Sequence, residues 1–207
     1  MSDFSTQLCK PAYAQFRLYV PNITPRTLYK QLWNALDLLY GQNIGCDVPL
    51  SVSETISHIF SIEQQLLSWE RSLAPPLQLV SSASLHELPT EQPSLNLQYC
   101  SWRFRVILTL RYLNVRVLLH RPVLVKFISA SRSPDRDSQD LRLLQQIGMN
   151  SMQICIESAM EIIDIVFRAV SEPGWKQSLL GAWWFSLYYS KAQIFLYSGK
   201  VLIRGAY

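Results

Sequence analysis

The chain has 207 residues, 49% hydrophobic and 16% charged, with a net charge of +4. That apolar fraction can fill a large core and excludes a globally disordered chain. Seven glycines against six Trp, ten Tyr and eight Phe favour long packed helices over a turn-rich β-sandwich, in one domain with or without a tail.

Residues 1–24 have weak periodicity and hold Pro11 and Pro21, which predicts an irregular lead-in. Thr24-Pro25 reads as an N-cap followed by proline at the first helical position. Leu28, Leu32, Leu36 and Leu39, with Trp33 and Tyr40 beside them, predict a helix over 25–40 that Gly41 stops. After a loop to Pro49, Ser51-Val52-Ser53-Glu54 has the form of a capping box. Ile56, Ile59, Phe60, Leu66, Leu67 and Leu73 then recur at helical spacing, and Ala74-Pro75-Pro76 ends that helix near 73. Residues 75–96, rich in Ser and Pro, predict an exposed connector with one short turn.

Trp102 to Ile128 contains no Gly and one proline, Pro122. At 100° per residue Arg105, Thr109, Tyr112, Arg116 and His120 fall on one narrow stripe, with apolar residues around most of the remaining cylinder. Such a helix packs against several neighbours at once, so the segment predicts a central post. Pro122 removes one amide and clashes with the carbonyl four residues back, so a kink or an end is expected there, the helix running from about 97 to 120 with a further turn or two beyond. A polar loop follows over 129–139. In Leu141 to Val170 a stripe of Leu141, Leu144, Gly148, Met152, Cys155, Ala159, Ile163, Val166 and Val170 opposes Gln146, Asn150, Gln153, Glu157, Glu161, Asp164 and Arg168. Gly148 and Ala159 on that stripe would admit a neighbouring helix closely. Pro173-Gly174 breaks the chain before a last helix over 177–198 that carries Trp183, Trp184 and Phe185. The fold class is therefore all-α, an irregular bundle of about five long helices around a Pro-kinked centre. Its expected limits are 25–199, with a tail over 200–207.

Charge is unevenly placed: residues 102–142 carry nine basic and three acidic groups. The simple reading is a solvated stripe with Arg stems laid along apolar surface; the sharper one is a patch for nucleic acid or an acidic partner. No Lys/Arg run of nucleic-acid type occurs. Cys9, Cys46, Cys100 and Cys155 form no C-x-x-C pair, and His58, His86 and His120 lie far from them in sequence, so no zinc spacing is present and reduced thiols are expected. The first ten residues lack the basic start and apolar core of a secretory leader. The most apolar run, Leu179 to Tyr189, falls short of the roughly 20 residues of a membrane span.

No G-x-S-x-G elbow, reactive-cysteine motif or Gly-rich phosphate loop occurs. His120 reads as a histidine packed at a helix end, Cys155 as a small core residue, and Glu157 with Glu161 as a solvated face. The aromatic cluster around Trp183, Trp184 and Phe185 reads as core, or as a candidate ligand or partner surface. The residues thus predict no enzyme.

Leu110-Arg111-Tyr112 followed by Arg116-Val-Leu-Leu-His-Arg-Pro-Val-Leu124 resembles the signature of the middle homology region of fungal zinc-cluster transcription factors, where a Tyr-containing helix ends in Leu-His-Arg-Pro. Trp69 to Leu77 is similar to that family's upstream Trp, Leu-Pro, Leu pattern, with Ala74 displacing the proline by one position. The resemblance covers about residues 35–190, and its motif residues are Trp69, Leu73, Tyr112, Arg116, Leu119, His120, Arg121 and Pro122. It implies a nuclear, non-catalytic regulatory domain that works through intramolecular contacts, protein partners or small effectors. Arg121, just before the broken helix end, would donate to carbonyls that Pro122 orphans. The family's six-cysteine cluster, which holds zinc and contacts DNA, has no counterpart in these residues. No cofactor is therefore expected in this chain, and DNA contact is expected only through such a cluster. The expectation is a short paralogue, a truncated product or a fragment of a longer regulator, prone to self-association. The alternatives are a stand-alone adaptor or dominant-negative partner of a full-length relative, and a sensor of a hydrophobic metabolite.

Overall fold

The structure, a computed structural model, describes residues 25–41, 50–87, 97–132 and 139–171. The irregular lead-in, the Thr24 cap, the helix expected over 177–198 with Trp183, Trp184 and Phe185, and the tail lie outside the described residues. Among these residues the protein is all-α. Helix α1 is Pro25–Tyr40, α2 is Val52–Arg71, α3 is Leu97–Arg132, α4 is Gln139–Leu143 and α5 is Met149–Ser171. Two 3-10 turns, Pro75–Leu77 and Ser82–Glu87, connect α2 towards α3.

Helix α3 is the centre. It packs against α1, α2, α4, α5 and the first 3-10 turn. Its buried residues, among them Val106, Leu110, Leu113, Val115, Leu119 and Val123, cover more than half of its circumference, and exposed Arg121 and Val125 lie in the remaining sector. Each such side chain stabilises the fold by about 1.5–3 kcal/mol through burial. Contacts at Tyr29–Arg111 and Tyr40–Leu118 run in the same chain sense, so α1 lies parallel to α3. Helices α2 and α5 run antiparallel to it, as Glu70–Tyr112 with Glu63–Arg116, and Gly148–Val123 with Cys155–Val117, show.

Several local expectations are met. Helix α1 has the bounds read from its periodicity. At α2 the Ser51 hydroxyl oxygen accepts from the Glu54 amide at 3.2 Å, and the Glu54 carboxylate accepts from the Ser51 amide at 2.9 Å. A Cβ on Gly148 would lie 3.0 Å from Val123 Cγ1, so any larger residue in this turn just before α5 would press on α3.

Other expectations need correction. Of the kink or end expected at Pro122, the end does not occur: helix α3 continues past the turn or two read beyond the proline, and Ser129 to Arg132, read as loop, are helical. Donors from other helices meet the carbonyls around the proline. Tyr40 Oη donates to the Leu118 carbonyl at 2.7 Å, and the Cys155 thiol to the Val117 carbonyl at 3.4 Å. Leu118 sits four residues before Pro122, so its carbonyl is the one that loses an intrahelical amide. His120 is accordingly an interior helix residue, and Arg121 is exposed rather than capping a helix end.

Over its described residues, 75–87, the connector after α2 is not an exposed strap. Leu77, Val80 and Leu85 are buried, because the two turns press them onto α3 and α5. Glu161, read as solvated, holds this connector: its two carboxylate oxygens accept from the Ser82 amide at 2.6 Å and the Ser82 hydroxyl at 3.0 Å. Leu141 to Val170 is not one regular α-helix, since Leu144–Gly148 forms a π-helical turn between α4 and α5. On α1 the buried face is Leu28, Ala35 and Leu39; Leu36 and Trp33 face outward.

Candidate functional site

The polar stripe of α3 is a ladder of contacts to α2 and its connector. Arg105 Nε donates to the Gln78 carbonyl at 2.7 Å. Thr109 Oγ1 accepts from the Val80 amide at 3.0 Å and donates back to the Arg105 carbonyl at 2.8 Å. Tyr112 Oη donates to Glu70 Oε2 at 2.7 Å, and its ring stacks on Trp69 with centroids 5.8 Å apart. Trp69 in turn donates its indole N–H to Thr27 Oγ1 on α1 at 2.9 Å.

One and two turns further along α3 lie Arg116 and the buried His120. Arg116 donates to Glu63 Oε1 from Nη2 at 2.7 Å and from Nε at 3.1 Å. His120 Nε2 lies 3.3 Å from Glu63 Oε2, and its Nδ1 lies 2.6 Å from Ser151 Oγ on α5. An ionised carboxylate can only accept, so His120 carries a proton on Nε2 towards Glu63, while Nδ1 shares a hydrogen bond with the Ser151 hydroxyl. Burial alone would push the Glu63 carboxyl up; the His120 hydrogen bond and the Arg116 guanidinium outweigh it and hold Glu63 below the usual carboxylate range. Burial and the bond to Glu70 push the Tyr112 phenol far up, so it stays a donor. Arg116 is raised because Glu63 overcomes its desolvation.

A hydroxyl, an imidazole and a carboxylate in series have the composition of a nucleophilic triad. Their setting differs from one. Ser151 and His120 are 6% and 2% exposed. Ser151 also lies within the unbroken helical run from Gln139 to Ser171, whose amides are spent on the helix and do not converge on a developing oxyanion. The cluster can hold three helices in register. A cleft of about 210 Å³ opens over it between α2 and α5, walled by Ile59, Phe60, Leu67 and Ile154. Its floor groups, Glu63, Arg116, His120 and Ser151, are already bonded to one another.

Of the motif residues, Trp69, Tyr112, Arg116 and His120 are joined in this network. Leu73 and Leu119 are buried in the core, Pro122 is half-buried, and Arg121 stands apart on the surface. Periodicity did not single out Glu63, Glu70 or Ser151, and it placed Tyr40 only beside the apolar face of α1. A signal existed for Glu63: it falls on the apolar face of α2, one turn from Ile59 and from Leu66. Ser151 shares its buried face with Met152 on α5 and with Gly148 of the π-helical turn before it. Cys155 is a free, buried thiol that burial pushes up to about 12. Among the described residues no cluster of His, Cys, Asp and Glu could hold a metal ion, and no helix is long and apolar enough to cross a membrane.

No family model matches the chain, and no solved structure matches it. It is similar to fungal proteins named as transcription factors. It is 30% identical over 176 residues to transcription factor FBD3 of Gibberella moniliformis, covering 84% of this chain and 22% of that protein. To transcription factor FBD3 of Fusarium pseudograminearum it is 31% identical over 183 residues, with the same coverage. To the sorbicillinoid biosynthetic cluster transcription factor 2 of Penicillium rubens it is 32% identical over 85 residues, 41% of this chain and 12% of that protein. The chain spans about a fifth of the length of the FBD3 relatives.

Proposed function

We propose that this chain is a non-catalytic regulatory module of a fungal transcription regulator of the zinc-cluster type, acting in the nucleus through its middle homology region. The observation that carries the proposal is the 30% identity to an FBD3 transcription factor over 84% of the chain. The bonded group of Trp69, Tyr112, Arg116 and His120 supports it, since the residues that carry the motif resemblance fall in one network. Zinc and DNA contact are assigned to no residue of this chain. The module's part is to fix the mutual positions of α1, α2, α3 and α5 and so present defined faces to the rest of a regulator.

A segment exchange tests this. The matching region of the Gibberella FBD3 protein is replaced by this chain, and a reporter under an FBD3-responsive promoter is followed in the host fungus. The expected result is regulated reporter output, lost when Arg116 is replaced by Ala. A chimera that accumulates in the nucleus yet gives no regulated output would overturn the proposal.

A further inference from the structure

Helix α1 has a second apolar stripe besides the one it buries. Tyr29, Trp33 and Leu36 follow at helical spacing and are 45%, 69% and 38% exposed. On a helical wheel the stripe lies about 100° round from Leu28, Ala35 and Leu39. Tyr40, the next residue on it, turns inward to the Leu118 carbonyl. Exposed Lys30 and Asp37 flank the stripe on the same side. They are seven residues apart, about 10 Å along the axis, too far to pair with each other. Neither has an ion-pair partner among the described residues.

A large aromatic stripe left open on a helix marks a contact surface. This one is self-complementary when inverted. A two-fold axis at Trp33 lays two α1 helices antiparallel. Trp33 then meets its own copy, and Tyr29 meets Leu36 of the second molecule. Like flanks face each other in an antiparallel pair, so Lys30 faces Asp37 of the second molecule, and symmetry makes this pair twice. A parallel pairing would put the two charged flanks on opposite sides and leave all four ions unpaired. We propose that the exposed stripe of α1 docks a second copy of this chain in this antiparallel, two-fold arrangement, with Lys30 and Asp37 setting its register.

The test uses the full chain and follows mass against concentration by sedimentation equilibrium. A dimer is expected. Because each reversal converts two attractive pairs into two repulsive ones, K30D and D37K should each raise the dissociation constant by about tenfold. Mixing K30D with D37K should restore association as a heterodimer, and the double variant K30D/D37K should restore the homodimer. Both positions are exposed, so helical circular dichroism should be unchanged and serves as the folding control. A monomer throughout, a dimer indifferent to both reversals, or single variants that do not recover on mixing would each overturn the assignment.

Discussion

Tyr40 donates its hydroxyl at 2.7 Å to the carbonyl of Leu118, the group that Pro122 deprives of its helical amide. Burial pushes the Tyr40 phenol up to about 12, so it remains a donor across the physiological range. The α1 residue at the end of its helix thus serves the break in α3. Replacing Tyr40 by Phe should cost about 1–2 kcal/mol, because the carbonyl is then left unpaired in a largely buried place. In a Pro122→Ala background the helix supplies its own amide, and the same change should cost clearly less. Urea denaturation of the four proteins in the cycle measures the difference; equal costs in both backgrounds would show that Tyr40 does not serve the break.

The Glu63–Arg116 pair, with side chains 7% and 22% exposed, is held by two hydrogen bonds between α2 and α3. Glu63→Gln leaves Arg116 and His120 facing a neutral amide and should destabilise the protein by about 3 kcal/mol. Adding Arg116→Met should not cost the full sum of the two single changes. A coupling of at least about 1 kcal/mol is expected from a double-mutant cycle. Additive costs would mean that the two side chains do not act as a pair.

The same carboxylate gives a pH dependence whose sign is defined. Glu63 is held below its ordinary value of 4.5 in the folded chain. Its contribution is complete above that value and is lost as pH falls through the lower folded one. The stability gap between the wild-type chain and Glu63→Gln should therefore be constant near neutrality and narrow in acid below about pH 4.5. A gap that widened on acidification would reverse the assignment.

Gly148 gives a prediction in which two effects oppose. Alanine is the better helix former by about 1 kcal/mol. Its Cβ, however, would meet Val123 Cγ1 at 3.0 Å, and Val123 is fully buried with a stiff β-branched side chain. Overpacking should win, with a net loss of about 1 kcal/mol. In a Val123→Ala background the sign should invert, and Gly148→Ala should raise the melting temperature. Loss of stability in both backgrounds would locate the constraint elsewhere.

Much of the fold was legible in the residues alone, because much of it is a local matter. The limits of α1, the Ser51–Glu54 box and the buried stripe of α5 follow from propensity, capping and spacing within a few turns. So does the polar stripe on α3, which emerged at the residues that form the contacts. The partners of that stripe were not legible, since periodicity reports which way a side chain faces and not which helix lies opposite. Glu63 and Ser151 meet His120 from positions 57 and 31 residues away, and only docking brings them there.

The course of α3 past Pro122 shows the same division. Local chemistry requires that the proline orphan a carbonyl and strain the turn before it. Whether the helix then stops depends on a replacement donor, and Tyr40 comes from 78 residues away. The connector after α2 is polar in composition, yet Leu77, Val80 and Leu85 are buried because α3 and α5 offer apolar surface there and Glu161 fastens Ser82. Sequence order specified the helices and their faces; the pairing of those faces, and with it the partners of Glu63, His120 and Ser151, came from packing between segments distant along the chain.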